Sequence, residues 1–183
     1  MPRRCHQQEP NHCNVKHFDS ISVRGAACLT GPVTSIQNLA MPPRYLRVEL
    51  LANQGIPNGY SFTPVQFASI VANTLTLASF NTSSFKFITV EAGVYGLTAA
   101  ISWQDNATNT REIVLEVYDS TNTLDYVVAS TNPVFGTVDS SSVSASLFLP
   151  AGYSVRVTTR HNAGVTVDAL LSASTFFEVT RSF

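Results

Sequence analysis

Charge is scarce in this 183-residue sequence: Asp, Glu, Lys and Arg make up 13% of it, and the formal net charge is −1. A balance so near zero supplies no general attraction toward nucleic acid or an anionic membrane surface. Cysteine is missing from all of residues 29–183, and histidine from the same stretch except for His161. A disulfide framework is excluded there, and so is any nucleophile and imidazole pair that does not use His161. No run approaches the roughly 18 apolar residues of a membrane span, and the start, Met1 to Gln8, has no apolar segment that could form the core of a secretory signal. The expectation is a soluble chain, made and kept in a cytosol until something assembles or lyses. Helical periodicity is lacking too, since no 3.6-residue pattern persists for three turns.

Hydroxyls and β-branched residues fill the space left by charge. Ser and Thr together number 39, which suits stacked strands with uncharged surfaces better than a solvated helical bundle. Period-two alternation recurs from Tyr45 onward, and predicts strands over Tyr45–Leu51, Thr63–Phe67, Leu75–Ser79, Phe85–Val90, Gly93–Trp103, Arg111–Tyr118, Asp125–Ala129, Val143–Leu149, Ser154–His161 and Leu170–Arg181. Breakers such as Gly55-Ile56-Pro57-Asn58-Gly59, Asp105-Asn106, Pro150-Ala151-Gly152 and Asn162-Ala163-Gly164 separate them. About ten short, regularly spaced strands in this length predict an all-β fold, a two-sheet sandwich of the jelly-roll type.

Strand faces follow from the alternation. Tyr95, Leu97, Ala99, Ile101 and Trp103 share one side of their strand, and Gly96, Thr98, Ala100 and Ser102 the other. The first set reads as sandwich core. The second is small and uncharged, a face able to press closely against another subunit. Leu147, Leu149, Val155 and Val157 are expected to point inward around the Pro150-Ala151-Gly152 turn.

Residues 1–44 differ from residues 45–183. They hold Pro2, Pro10, Pro32, Pro42 and Pro43, with only short apolar clusters, and read as an extended N-terminal arm preceding a single domain. Residues 1–50 carry six Lys or Arg against three acids, whereas the remainder carries five against nine, so a mildly basic head precedes a mildly acidic body. The arm is expected to dock on a partner protein through backbone pairing and apolar contacts from Ile21, Val23, Leu29, Ile36 and Leu39. Cys5, Cys13 and Cys28 fall in it, with His6, His12 and His17. Cys5, His12, Cys13 and His17 have ligand types suited to zinc, but their spacing matches no established finger. A Cys5 to Cys13 disulfide and plain unligated side chains are the other readings. No metal ligand and no cofactor is assigned.

Four passages carry a family resemblance. They are Asn53-Gln54-Gly55-Ile56-Pro57-Asn58-Gly59 with Thr63-Pro64-Val65-Gln66-Phe67, then Phe85 through Tyr95 with its strand, Gly turn and Gly-aliphatic-Tyr. Leu147-Phe148-Leu149-Pro150-Ala151-Gly152-Tyr153-Ser154-Val155 and His161-Asn162-Ala163-Gly164 before Phe176-Phe177 complete the set. In this order and spacing, over residues 45–183, the chain resembles the tumour-necrosis-factor and complement-globular-head superfamily of jelly rolls, in the versions found on phage head fibres, phage tails and bacterial spore surfaces. One departure is that relatives usually place Asp after the late-hairpin glycine, where this chain has Tyr153. The resemblance implies a homotrimer about a threefold axis, with Tyr95 in the core, Gly96, Thr98 and Ala100 lining the axis side, and Phe176 near the subunit contact. The competing placement puts Phe176 and Phe177 both inside the protomer.

Catalytic patterns are missing: there is no Gly-x-Ser-x-Gly elbow, His-Glu-x-x-His, phosphate-binding glycine loop or calcium loop. His161 is expected in a turn between strands. Glu112 and Glu116 share a strand face and have the residue types for glycosidic acid–base work, though such spacing is more often a solvated face. The Asn81-Thr82-Ser83 and Asn106-Ala107-Thr108 triplets are read as chance, and Arg156, Arg160 and Arg181 lack the aromatic interleaving of a nucleic-acid surface. The expected function is therefore non-enzymatic: a trimeric virion protein, decorating, cementing or projecting from a capsid and anchored to capsid or tail proteins by its arm. The alternative is an attachment protein of a phage tail or fibre that binds a host surface glycan or protein. A secreted ligand of the same superfamily ranks below both.

Overall fold

The computed structural model describes residues 44–75, 78–104, 110–130 and 140–182. The arm residues Ile21, Val23, Leu29, Ile36 and Leu39, the Cys and His cluster of residues 5–28, and the Asp105 and Asn106 breaker lie outside them.

Thirteen strands are formed by the described residues: β1 (Arg44–Glu49), β2 (Gln54–Ile56), β3 (Gly59–Pro64), β4 (Ser69–Asn73), β5 (Ala78–Asn81), β6 (Lys86–Thr89), β7 (Gly93–Ser102), β8 (Arg111–Tyr118), β9 (Leu124–Ser130), β10 (Ser140–Leu149), β11 (Ser154–His161), β12 (Val167–Ala169) and β13 (Phe176–Ser182). Two antiparallel sheets stack. The first runs β10-β7-β13-β1-β4, and the second β5-β6-β11-β8-β9. One edge of β11 is shared, pairing with β6 along Ser154–Arg156 and with β3 from Thr158 to His161, while its other edge pairs with β8 along its full length. A separate β2–β12 ribbon closes one end.

The alternation fixes what lies between the sheets. Leu46 and Val48 of β1, Tyr95, Leu97, Ala99 and Ile101 of β7, and Phe177 and Val179 of β13 come from the first sheet. Phe87 of β6, Ile113, Leu115 and Val117 of β8, and Val155 and Val157 of β11 meet them from the second. Phe87 and Tyr95 interlock edge to face at 5.5 Å between centroids, and Tyr95 sends its hydroxyl to the Glu91 carbonyl at 2.8 Å. Burial of a large side chain of this kind stabilises by about 1.5–3 kcal/mol. The late turn is tied in at Gly152, whose φ of 82° lies in the left-handed region; its N–H donates to the Thr89 carbonyl at 2.8 Å, and Thr89 Oγ1 donates to the Pro150 carbonyl at 2.6 Å.

Four sequence expectations need correction. The strand expected at Thr63–Phe67 lies earlier, over Gly59–Pro64, because Gln66 N–H leaves the ladder for Gln54 Oε1 at 2.8 Å. Of Leu75–Ser79, residues 76 and 77 lie outside the described residues, Leu75 is not strand and β5 begins at Ala78; the strand before it is β4, whose Ser-Ile-Val-Ala-Asn has no alternation and forms by pairing along β1. Only the part of Leu170–Arg181 from Phe176 onward is strand, because the residues before it form a serine turn in which Thr175 N–H reaches the Ser172 carbonyl at 2.9 Å. His161 is the last residue of β11 rather than part of a turn, 1% exposed, with Nε2 2.7 Å from the Ile56 carbonyl oxygen.

Candidate subunit-contact face

Antiparallel pairing puts the outward residues of the first sheet into rows. One row reads Ser142, Ala100, Phe176, Glu49; the next Ser144, Thr98, Glu178, Arg47; the third Ser146, Gly96, Thr180, Tyr45; and the last Phe148, Val94, Ser182. The sequence-derived residues Gly96, Thr98, Ala100 and Phe176 thus fall on one surface, because adjacent strands carry them at matching heights. Phe177 turns inward and is 1% exposed, while Phe176 faces out, half-buried. The two phenylalanines therefore divide between core and surface, against the reading that placed both in the core.

Local chemistry keeps this surface uncharged over β7 and β10. Gly96 has no side chain because a Cβ there would meet Thr180 Oγ1 at 2.6 Å. Charges appear only on β13 and β1, where they compensate one another: Arg47 Nε contacts Glu49 Oε1 at 2.9 Å and Arg47 Nη1 lies 3.6 Å from Glu178 Oε2. The same guanidinium donates to the Ala173 carbonyl at 2.6 Å and lies over the Phe176 ring, 4.1 Å from its centroid. A surface of Ser, Thr, Gly and Ala loses little on drying, since hydroxyls can bond locally while unpaired charges would cost several kcal/mol each. Depletion of charge in a patch centre is also what distinguishes contact surfaces from ordinary ones.

Sequence reasoning missed the ladder Ser142, Ser144, Ser146 and the apolar end made by Phe148 and Val94, which are 60% and 41% exposed. The signal was present in the strict alternation of Ser140 to Leu149, where Val143, Leu147 and Leu149 mark the opposite face.

No family model matches the chain, and no curated protein does. Solved structures do. Eiger TNF from S. frugiperda superposes with a TM-score of 0.58 at 15% identity, over 78% of this chain and 94% of that one. Murine APRIL at pH 5.0 gives 0.54 at 12% identity, over 76% and 99%. The fold is a TNF-like jelly roll.

Within this TNF-like sandwich the candidates for acid–base chemistry are already engaged. Glu116 faces Arg156 across β8 and β11 at 3.0 Å, and Glu112 faces Arg160 at 2.7 Å. Tyr118 also donates to Glu116 Oε2, at 2.6 Å; burial first, and that bond second, push the phenol up to about 12. Arg181 pairs with Glu91 at 2.5 Å. Among the described residues, no three His, Cys, Asp or Glu side chains converge as a metal site requires. The two glutamate pairs of β8 and β11 lie on the solvent side of the second sheet and hold those strands in register, whereas Arg181 ties the β6–β7 turn to β13 at the rim of the first.

Proposed function

We propose that the chain is a non-enzymatic structural protein whose TNF-like domain forms a homotrimer through the outward face of the first sheet, at Gly96, Thr98, Ala100 and Phe176. The observation that carries this reading is the charge-free, small-residue surface of β7 and β10 set beside Phe176. A non-enzymatic role is supported by Glu112 and Glu116 being bound up in ion pairs and His161 in a bond to the Ile56 carbonyl oxygen. The place of action, a virus particle on which residues 1–44 anchor the trimer to capsid or tail proteins as a decoration, cement or spike, rests on the sequence resemblance to phage head-fibre and tail proteins.

Two measurements test the two halves. Sedimentation velocity on the purified chain is expected to give a single trimer species, and a well-folded monomer at micromolar concentration would defeat the oligomeric reading. Particle binding by the chain with residues 1–40 deleted is expected to vanish while its melting temperature holds. A body that unfolds without those residues would mean that they belong to its core.

A further inference from the structure

The solvent side of the second sheet carries an open depression of about 350 Å³ between β3, the loop before β6, the β8–β9 turn and β11. That volume is at the small end of the range for small-molecule sites, about 300–1,000 Å³. Its floor is cationic. Lys86 is 5% exposed, an unusual state for lysine, and its Nζ donates to Asn122 Oδ1 at 2.5 Å while lying 3.1 Å from the centroid of the Tyr118 ring. Arg156 stands beside it, with Nε and Nη2 both spent on Glu116 Oε2 at 3.3 and 3.0 Å. Arg156 Nη2 also contacts the Tyr118 hydroxyl, whereas Nη1 has no acceptor among the described residues.

Two cations therefore share one carboxylate, and the nearby phenol is neutral, so the floor carries one uncompensated positive charge. Burial first, and then the proximity of Arg156, lower the pKa of Lys86, while Glu116 raises it. Two lining residues adopt left-handed backbone, Phe85 at φ 55° and Asn122 at φ 67°. Asparagine tolerates that region, but an aromatic residue rarely enters it, and strain of this kind gathers at ligand clamps. Above the floor the lining is uncharged, with the polar side chains of Thr63, Gln66, Ser83 and Ser84 beside the apolar Pro64 and Phe85.

We propose that this depression binds a small monoanion of the sugar-acid class, its carboxylate held between Lys86 Nζ and Arg156 Nη1 and its ring hydroxyls met by the serine, threonine and glutamine rim. A carboxylate supplies the single missing negative charge, and charge-assisted bonds to ammonium and guanidinium are the strong ones available. The rim offers donors and acceptors suited to a polyhydroxylated ring rather than to a bare ion. The site lies on the opposite sheet from the proposed subunit contact, so it stands or falls independently of trimer formation.

The test is calorimetric titration of the full chain with glucuronate, with glucose and inorganic phosphate as comparators. Glucuronate is expected to bind at least about tenfold more tightly than either comparator, the discrimination of one good polar interaction. Lys86→Met removes the buried cation and is expected to weaken glucuronate binding by about tenfold or more. Because that variant could unfold, Ser84→Trp provides a second obstruction, placing an indole at the exposed rim without altering charge, and is expected to abolish the heat of binding while the melting temperature holds. Glucose binding equal to glucuronate, phosphate binding more tightly than glucuronate, no glucuronate binding, or glucuronate binding unchanged in a folded Lys86→Met or Ser84→Trp protein would each overturn the assignment.

Discussion

The two sheets contribute to one core but differ on their outward faces. On the second sheet, β8 and β11 present Glu112 with Arg160 and Glu116 with Arg156, acid opposite base at successive heights. On the first, β7 and β10 present Gly96, Thr98 and Ala100 beside Ser146, Ser144 and Ser142. Long charged side chains suit a face that stays wet, where they cover apolar surface and keep their heads hydrated. Short uncharged ones suit a face that will be dried against protein, because neither charge nor much rotamer freedom is surrendered. The same backbone geometry thus carries two surface chemistries, and this difference is what the proposed subunit contact on the first sheet rests on.

The largest expected effect comes from exchanging those chemistries. Ala100→Glu puts a carboxylate in the row between Ser142 and Phe176. In a trimer it would bring three like charges near one axis, each buried without a counterion, a cost of about 3–5 kcal/mol per site. Light scattering is expected to show monomers, and thermal melting a fall of ten degrees or more, on the order of that energy for a domain of this size. If the first sheet's outer face is as wet as the second's, the change stays within about 0.5 kcal/mol and the contrast between the sheets is broken.

A smaller effect tests the second sheet. Glu116→Gln keeps shape but removes the one carboxylate between Lys86 and Arg156, leaving two cations near the Tyr118 ring. Since Arg156 is partly exposed, solvent screens the repulsion, and a loss of about 1–3 kcal/mol is expected by urea denaturation. The oligomeric state should not change. Dissociation of the trimer by this variant would mean that the second sheet also contributes to subunit contact.

Much of this contrast was legible in the sequence because it depends on period-two alternation, which survives without knowledge of pairing. The Gly93 to Trp103 stretch fixed its own faces, and Tyr95, Leu97, Ala99, Ile101 and Trp103 are all buried. Strands β8 and β11 have the boundaries their patterns predict. What could not be read were features owed to partners distant in sequence. β4 exists because β1 has an edge to offer, and the cross-strand neighbours of Glu112 and Glu116 come from about 40 or more residues away. The depression around Lys86 was invisible for the same reason, being assembled from four separate segments. Phe176 and Phe177 show the limit from another side: adjacent residues must take opposite faces of a strand, but only the register with Ala100 and Ala99 says which goes where.

The smallest expected effect concerns acid, and it too should separate the sheets. Asp119 closes the β8–β9 turn: its Oδ1 accepts from the Thr121 hydroxyl at 2.7 Å and from the Thr121 and Thr123 amides, both at 2.9 Å. The Thr121 side-chain bond first, and then the Thr123 backbone bond, hold its pKa below the ordinary carboxylate value of 3.8. A folded-state pKa below the unfolded one means that the contribution to stability is fully present above pH 3.8 and is lost as pH falls through the lower, folded value. Amide hydrogen exchange at Thr121 and Thr123 should therefore quicken relative to its intrinsic rate below pH 3.8, ahead of any change at Gly96, Thr98 and Ala100. Asp119→Asn, which keeps an acceptor oxygen but no titration, should flatten that dependence at the turn. Exchange at the two threonines that follows the same acid profile in the variant would assign the effect to global unfolding, and one that quickens first on β7 would place the acid-sensitive element on the first sheet instead.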